Sequence, residues 1–383
     1  MNTKKRVAIA LGAGYTPGIN SIIMGVAISA HNMGWEVLGI RDGFEGLLFP
    51  EKYPNKGLID LSPETINKLN PLGSDAMGTA ASVDPFNVRT TNEYGMIEEE
   101  DLSDTLLANL KKENIDGVIA IMMGRGLSIL HKLNQKGLKS ICIPRTIEND
   151  MAATSVAFGF NTSLSFSIDM LDRARQAAIS SKKIGVVEVL GSQAGWLALQ
   201  SGIAVLADAV VLPEFKCDVK ALAAHLKSKI TPEHPHAIVV VAEGSTFTNL
   251  PGTTKNDNDD MKKALSPLAT EDDSEFAIDK SGKAAKVLSM ALQQLLADEV
   301  FPLVLGPWSR GGDATAVDRQ LGLAYGAASA KAFEQEKFGT MAAFVPPHIE
   351  FVPLIEVLNK ARTVKADNGF LNVARALGIY TGA

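Results

Sequence analysis

The chain has 383 residues, 46% of them apolar, and a formal net charge of −6. That length supports a large core and more than one domain, and the even spread of apolar residues excludes a disordered chain. With no cluster of Lys and Arg, and no apolar run near the ~18 residues that cross a bilayer, nucleic-acid binding and a membrane span have no support.

In chain order, residues 6–11 are predicted as the first strand, and the short basic lead-in before them is not a signal peptide. A helix follows over 18–33, then a strand over 36–40, a helix over 102–113, and strands over 117–122 and 140–143. Next come a helix over 162–180, strands over 183–189 and 209–212, a helix over 219–230 and a strand over 237–241. A helix over 283–296, a strand over 301–305 and a helix over 314–333 complete the alternation. Strands that are apolar almost throughout, alternating with helices, specify buried parallel sheets with helices on both faces. Sites in such sheets form beyond the carboxyl ends of the strands. The informative loops therefore follow Leu11, Met122, Ile143, Val189, Val241 and Leu305.

Some features carry less. Cys142 and Cys217 stand in no metal-ligand spacing and fit buried thiols of a reduced, cytoplasmic protein. His234-Pro235-His236 reads as a loop before a strand, with a metal pair as the alternative. The polar stretch 247–279 reads as a surface excursion, either a tolerated insertion or a lid or subunit contact.

The first loop is Gly12-Ala13-Gly14-Tyr15-Thr16-Pro17-Gly18-Ile19-Asn20, with Thr16 as N-cap and Pro17 as first helical residue. Glycines let backbone approach a ligand, and a helix N-terminus offers N–H groups to an anion. Met123-Gly124-Arg125-Gly126 is either a plain glycine-rich turn or a backbone cradle with Arg125 aimed at a phosphate or carboxylate. Pro144-Arg145-Thr146-Ile147-Glu148-Asn149-Asp150 sets two carboxylates and an Arg directly after a buried strand. A carboxylate there can take the proton of an alcohol in transfer chemistry, and a second can assist or order a metal; a solvated acidic loop is the alternative. Further on stand Phe158-Gly159-Phe160-Asn161-Thr162, Val187-Glu188-Val189-Leu190-Gly191-Ser192 with Gly195-Trp196, Ala242-Glu243-Gly244, and Leu305-Gly306-Pro307-Trp308-Ser309-Arg310-Gly311-Gly312.

In this order and spacing, over nearly the whole chain, these segments resemble the phosphofructokinases, both ATP- and pyrophosphate-dependent. The family runs G-G-D-A-P-G-M-N, G-G-D-G/D, P-G/K-T-I-D-N-D, F-G-F-x-T-A, V-V-E-V-M-G-R-x-x-G, A-E-G and L-G-x-x-x-R-G-G. The resemblance implies an α/β fold of two Rossmann-like parallel-sheet domains flanking a cleft. It places an N-terminal donor-side domain at 1–159 plus about 313–345, and an acceptor-side domain at 160–312 plus about 346–383. It also implies a phosphotransferase with an alcohol acceptor, a homodimer or homotetramer, and Mg²⁺ with the phosphoryl donor.

Carried over residue by residue, the resemblance makes Glu148, Asp150, Arg145 and Arg125 the catalytic set. Thr146, Lys183, Leu190, Gly191, Glu243 and Arg310 become substrate-binding residues, and Gly12, Ala13, Gly14, Gly124 and Gly126 donor-binding ones. The departures matter as much. The family's first-loop Asp is Tyr15, and its Mg²⁺-binding Asp is Arg125, a side chain with no lone pair for a cation. Its catalytic Asp is Glu148; a carboxylate displaced by roughly 1 Å costs about 10²-fold in rate unless the pocket suits it. Arg145 stands where ATP users have Gly and pyrophosphate users Lys, which leans toward a small anionic donor such as pyrophosphate.

On the acceptor side, Ser192 replaces an arginine, Pro307 a His or Tyr, Phe301 an arginine lent across a subunit interface, and Gly78-Thr79-Ala80-Ala81 lacks its Arg. Charge-assisted contacts are worth about 1.5–3 kcal/mol each, so losing two or three weakens fructose 6-phosphate binding by roughly two to five orders of magnitude. The expectation is a phosphotransferase using pyrophosphate or ATP, on a small phosphorylated or hydroxylated metabolite, not optimised for fructose 6-phosphate. The alternatives are a non-catalytic regulatory subunit or a different reaction on the same scaffold.

Overall fold

The computed structural model describes residues 4–74, 76–78, 83–91, 95–251 and 281–382. The expected 247–279 excursion and the Thr79-Ala80-Ala81 part of the early turn lie largely or wholly outside the described residues. The strands used below are β1 (Arg6–Leu11), β2 (Glu36–Ile40), β3 (Leu58–Asp60), β4 (Gly117–Met122), β5 (Ser140–Thr146), β6 (Ile184–Val189), β7 (Ala209–Val211), β8 (Ala237–Ala242), β9 (Val300–Val304), β10 (Thr340–Val345) and β11 (His348–Pro353). The helices are α1 (Ile19–Asn32), α2 (Arg125–Gln135), α3 (Phe160–Ser181), α4 (Trp196–Ala204), α5 (Lys283–Leu296) and α6 (Ala316–Glu334).

The chain divides into two compact units. The first comprises Met1–Ile147, Met151–Asn161 and Gly311–Lys360; the second comprises Glu148–Asp150, Thr162–Arg310 and Ala361–Ala383. The first unit's sheet runs β11-β10-β5-β4-β1-β2-β3, with Phe158–Gly159 paired to β5. Its central strands are parallel, and β3 and β11 close the two edges antiparallel. Because β11 pairs with β10 along its whole length, the first unit extends to Lys360 rather than ending near the expected 345.

Every residue of β4 and β5 is buried, as a strand covered on both faces requires, and each buried Ile, Val or Leu contributes about 1.5–3 kcal/mol. Helices α1 and α6 cross with backbones almost touching. A Cβ on Gly25 would stand 2.5 Å from the Leu323 carbonyl oxygen, and one on Gly326 2.4 Å from that of Ile22. Only glycine admits that approach.

The second unit's sheet, β7-β8-β6-β9, is parallel throughout, and β6 and β8 are buried along their length. Buried Glu188 in β6 serves the structure, because its carboxylate accepts the N–H groups of Gly282 and Ala285 at the start of α5. A carboxylate satisfies such orphan donors and complements the positive helix end.

Elements and termini follow the predicted pattern closely, with one informative extension. The strand expected to stop at Ile143 continues to Thr146. Proline has no N–H for a ladder, yet Pro144 stays in register with Met122, and Phe158–Gly159 pairs Arg145 and Thr146 beyond it. Cys142 and Cys217 are buried free thiols, and burial pushes the pKa of each up to about 12. Among the described residues no helix is long and apolar enough to cross a membrane.

Candidate active site

In the first unit, the loop after β1 turns through Gly14, whose φ is 93°. Helix α1 starts later than the sequence suggests: Gly18, with φ 77°, is the N-cap, and Ile19 is the first helical residue. Thr16 does not cap. Its backbone carbonyl accepts from the Ser74 hydroxyl at 2.6 Å, and Ser74 Oγ in turn accepts the Ile19 N–H at 3.2 Å. The Asn20 N–H donates to Gly73 O at 3.0 Å. Two leading N–H groups of α1 are thus satisfied by a neighbouring segment, and the expected open helix terminus is occupied by protein.

Arg145 is the largest fully buried side chain described. Its guanidinium donates to Thr16 Oγ1 at 2.9 Å, to Gly12 O at 2.9 Å and to Ala13 O. The planar fork suits this convergence, and carbonyls help keep a buried cation solvated. Through these bonds Arg145 steadies the loop that carries Gly12, Ala13 and Gly14.

Arg125 differs. It opens α2 after Gly124, with its side chain 68% exposed and a guanidinium nitrogen 3.9 Å from Asp84 Oδ2. Gly126 follows in the first turn, where a Cβ would crowd Met122 Sδ at 3.1 Å. By the resemblance described above, this cation stands where a metal-binding Asp was expected. Among the described residues no group of three or more His, Cys, Asp or Glu could hold a metal ion. The residues at this position do not fit a protein-held Mg²⁺.

In the second unit, Glu148 and Asp150 flank Asn149, a buried residue held at φ 57°. The Ser192 N–H donates to Glu148 Oε2 at 3.1 Å. Burial first, then the charges of Asp150 and Glu243, push the Glu148 carboxyl well above its usual range, while the Ser192 N–H and Arg310 pull it down.

The supporting turns are tight. The Glu243 N–H donates to Val189 O at 3.0 Å and the Gly244 N–H to Gly191 O at 3.1 Å. Gly191 has φ 144°, and a Cβ on Gly244 would stand 2.0 Å from Ser192 O. Buried Leu190 precedes Gly191, and Arg310 closes the turn Gly306–Arg310 after β9. Thr146, buried at the end of β5, belongs to the first unit.

Lys183 stands apart from the other expected acceptor residues of this chain. It precedes β6 and pairs with Glu299, whereas Gly191 follows the other end of that strand. A six-residue strand spans about 20 Å, so within one chain Lys183 and Gly191 stand at opposite ends of β6. Phe301 belongs to the same amino end, with its ring over Gly185.

Three residues outside the predicted site support its acidic turn. Arg362 donates its N–H to Asp150 O at 2.7 Å and a guanidinium N–H to Asn149 O at 3.2 Å. Trp196 Nε1 donates to Arg362 O at 2.6 Å. Glu214 accepts the N–H groups of Gly195 and Val364. Trp196 sits in a motif visible in the sequence; Arg362 and Glu214 sit in none, and no local signal could have found them.

Two parallel sheets, each with tight glycine-bearing turns beyond the carboxyl ends of its strands, define an α/β class whose ligands bind at those ends. The sequence profile described as phosphofructokinase matches residues 6–333. An ATP-dependent 6-phosphofructokinase 2 of Clostridium perfringens is 31% identical over 381 residues, covering 99% of each chain. A pyrophosphate–fructose 6-phosphate 1-phosphotransferase of Dictyoglomus thermophilum is 30% identical over 369 residues, 96% of this chain and 97% of that one. The solved pyrophosphate-dependent phosphofructokinase of Marinobacter aquaeolei superposes with a TM-score of 0.72 at 19% identity, over 97% of this chain and 90% of that one. The chain belongs to the phosphofructokinase family and is a phosphotransferase of that family.

Proposed function

We propose that this phosphotransferase moves a phosphoryl group from pyrophosphate or ATP to a hydroxyl of an acceptor that is not optimally fructose 6-phosphate. The observation that carries the reading is the environment of Glu148. Its carboxylate is oriented by the Ser192 N–H at 3.1 Å, and burial, then the neighbouring carboxylates Asp150 and Glu243, raise its proton affinity toward that of a general base working near neutral pH. As the acceptor oxygen attacks phosphorus, its O–H proton passes to Glu148, the new O–P bond forms and the donor's bridging P–O bond breaks. The proton then leaves Glu148 for solvent.

Arg125, exposed at the start of α2 beside Gly124, is assigned to donor charge, where a guanidinium is suited to phosphate oxygens. The loop at Gly12, Ala13 and Gly14 contributes backbone to the donor, and Arg145 holds that loop. Asp150 assists the base; Leu190, Gly191, Glu243 and Arg310 hold the acceptor. A lean toward pyrophosphate requires Arg145 to meet the donor directly. Arg145 also donates to Thr16 Oγ1, Gly12 O and Ala13 O, so the donor's charge is assigned to Arg125, and the donor is pyrophosphate or ATP.

The acceptor reading rests on Ser192, whose short side chain replaces a cation beside the base, and on exposed Pro307. Phosphorus NMR of the protein with fructose 6-phosphate and either donor tests it. The expected result is turnover far below that with unphosphorylated or differently phosphorylated polyols. Fructose 1,6-bisphosphate formed at ordinary kinase rates of roughly 1–100 per second sinks the acceptor proposal.

A further inference from the structure

The turn that carries the base is irregular backbone, and something must fix it. Asn149 is buried with a left-handed φ of 57°, a conformation asparagine tolerates in turns, and the backbone around it needs partners for its carbonyls. Its surroundings are unusual: the carbonyls of Asn149 and Asp150 both point at one residue distant in sequence. Arg362 meets the first with a guanidinium N–H at 3.2 Å and the second with its backbone N–H at 2.7 Å.

Arg362 is itself anchored. Its guanidinium carbon lies 4.1 Å from the centroid of the Trp196 ring, a cation–π contact of partly desolvated type. The Trp196 indole N–H donates to the Arg362 carbonyl at 2.6 Å. Two residues on, the Val364 N–H donates to Glu214 at 2.7 Å, and the same carboxylate accepts the Gly195 N–H at 3.0 Å where α4 begins. The residues 362–364 are thus pinned to the start of α4 on one side and grip the acidic turn on the other. All of these residues lie in the second unit.

We propose that Arg362 is a positioning residue for Glu148, holding the Glu148–Asp150 turn by its carbonyls so that the Glu148 carboxylate stays on the Ser192 N–H. It acts on the backbone of the turn. The inference rests on the reading of Glu148 as the base. The groups that set the Glu148 proton affinity are Asp150 on its own turn, Glu243 after β8, Arg310 after β9 and the Ser192 N–H after β6. A turn that drifts changes those distances. A Lys at 362 keeps the charge but loses the planar stack and the fork, so Arg362→Lys is the sharp variant. Trp196→Phe, which keeps an aromatic ring but deletes the N–H to Arg362 O, is the second.

The test has two arms. In the first, protein carrying carboxyl-labelled glutamate is titrated by carbon NMR, with Glu148→Gln assigning the Glu148 signal. The expected midpoint of Glu148 drops by about one unit in Arg362→Lys and by less in Trp196→Phe. In the second, kinetics with the best acceptor are expected to show kcat falling about 10–100-fold with KM changed by less than about twofold. An unmoved Glu148 titration alongside a lowered melting temperature overturns the proposal and leaves Arg362 as a packing residue. A raised KM at constant kcat also overturns it and makes Arg362 an acceptor ligand. Should the protein turn over no acceptor, the base reading fails, and the titration arm alone still decides whether Arg362 fixes the carboxylate.

Discussion

The Ser192 N–H meets Glu148 Oε2 at 3.1 Å. A main-chain donor therefore orients the carboxylate proposed as the base. A backbone N–H cannot be withdrawn by rotamer change, so the donor stays in place whatever the Ser192 side chain does. Glu148→Gln keeps the shape and the acceptor oxygen but removes the proton sink. Turnover is expected to fall by about 10²–10⁴-fold, with donor and acceptor dissociation constants within a few-fold. Calorimetric binding alongside rapid-quench turnover checks this, and unchanged turnover eliminates Glu148 as base.

The pH profile carries the second prediction. A base must be deprotonated to work, and the Glu148 proton affinity is raised above the ordinary carboxylate value of 4.5 by burial, Asp150 and Glu243. Activity is expected to climb with pH along an acid limb centred clearly above that value. Glu243→Gln removes one negative neighbour and should move the limb to lower pH. Initial rates from about pH 4 to pH 9, in buffers of constant ionic strength, are the measurement. A limb that stays put in Glu243→Gln contradicts the electrostatic assignment.

The same shift has a stability consequence whose sign is fixed. A carboxyl that binds its proton more tightly folded than unfolded loses stability as pH rises from its unfolded value through its folded one. Wild-type stability should therefore fall across that window. Glu148→Gln, having no proton to lose, should melt higher than wild type at about pH 8 and show no such gain at about pH 4. Melting curves for both proteins at both values decide it; an equal difference at the two pH values contradicts the raised folded affinity.

Much of this was legible in the sequence, and the exceptions share a cause. The strands around Val7, Val118 and Val239 announce themselves through continuous apolar runs, and the acidic turn is visible because its residues are adjacent in the chain. Arg362 and Glu214 act over separations of up to 213 and 150 residues, through backbone bonds that leave no pattern of residue types. Lys183 is the opposite case, where adjacency in the chain does not give proximity within it. It adjoins the right strand, but a strand has two ends, and the pairing with Glu299 fixes it to the far one. For Arg145, a cation beside a glycine loop suggests a phosphate, and the structure adds that the carbonyls of Gly12 and Ala13 accept from its guanidinium.

Arg145 gives the final prediction. Its guanidinium is buried and bridges β5 to the first loop through Gly12 O, Ala13 O and Thr16 Oγ1. Truncation strands several buried acceptors, each costing about 1–3 kcal/mol, and leaves a cavity as well. Arg145→Met is expected to destabilise the protein by about 3 kcal/mol or more, measured by urea unfolding. Arg145→Lys, which can reach one or two of the three acceptors, should fall between. If the residue holds the loop rather than the donor, Arg145→Lys keeps the donor specificity of wild type while KM for the donor rises with the loop's disorder. An Arg145→Lys protein of unchanged stability that switches its preference between pyrophosphate and ATP would instead show that the guanidinium meets the donor.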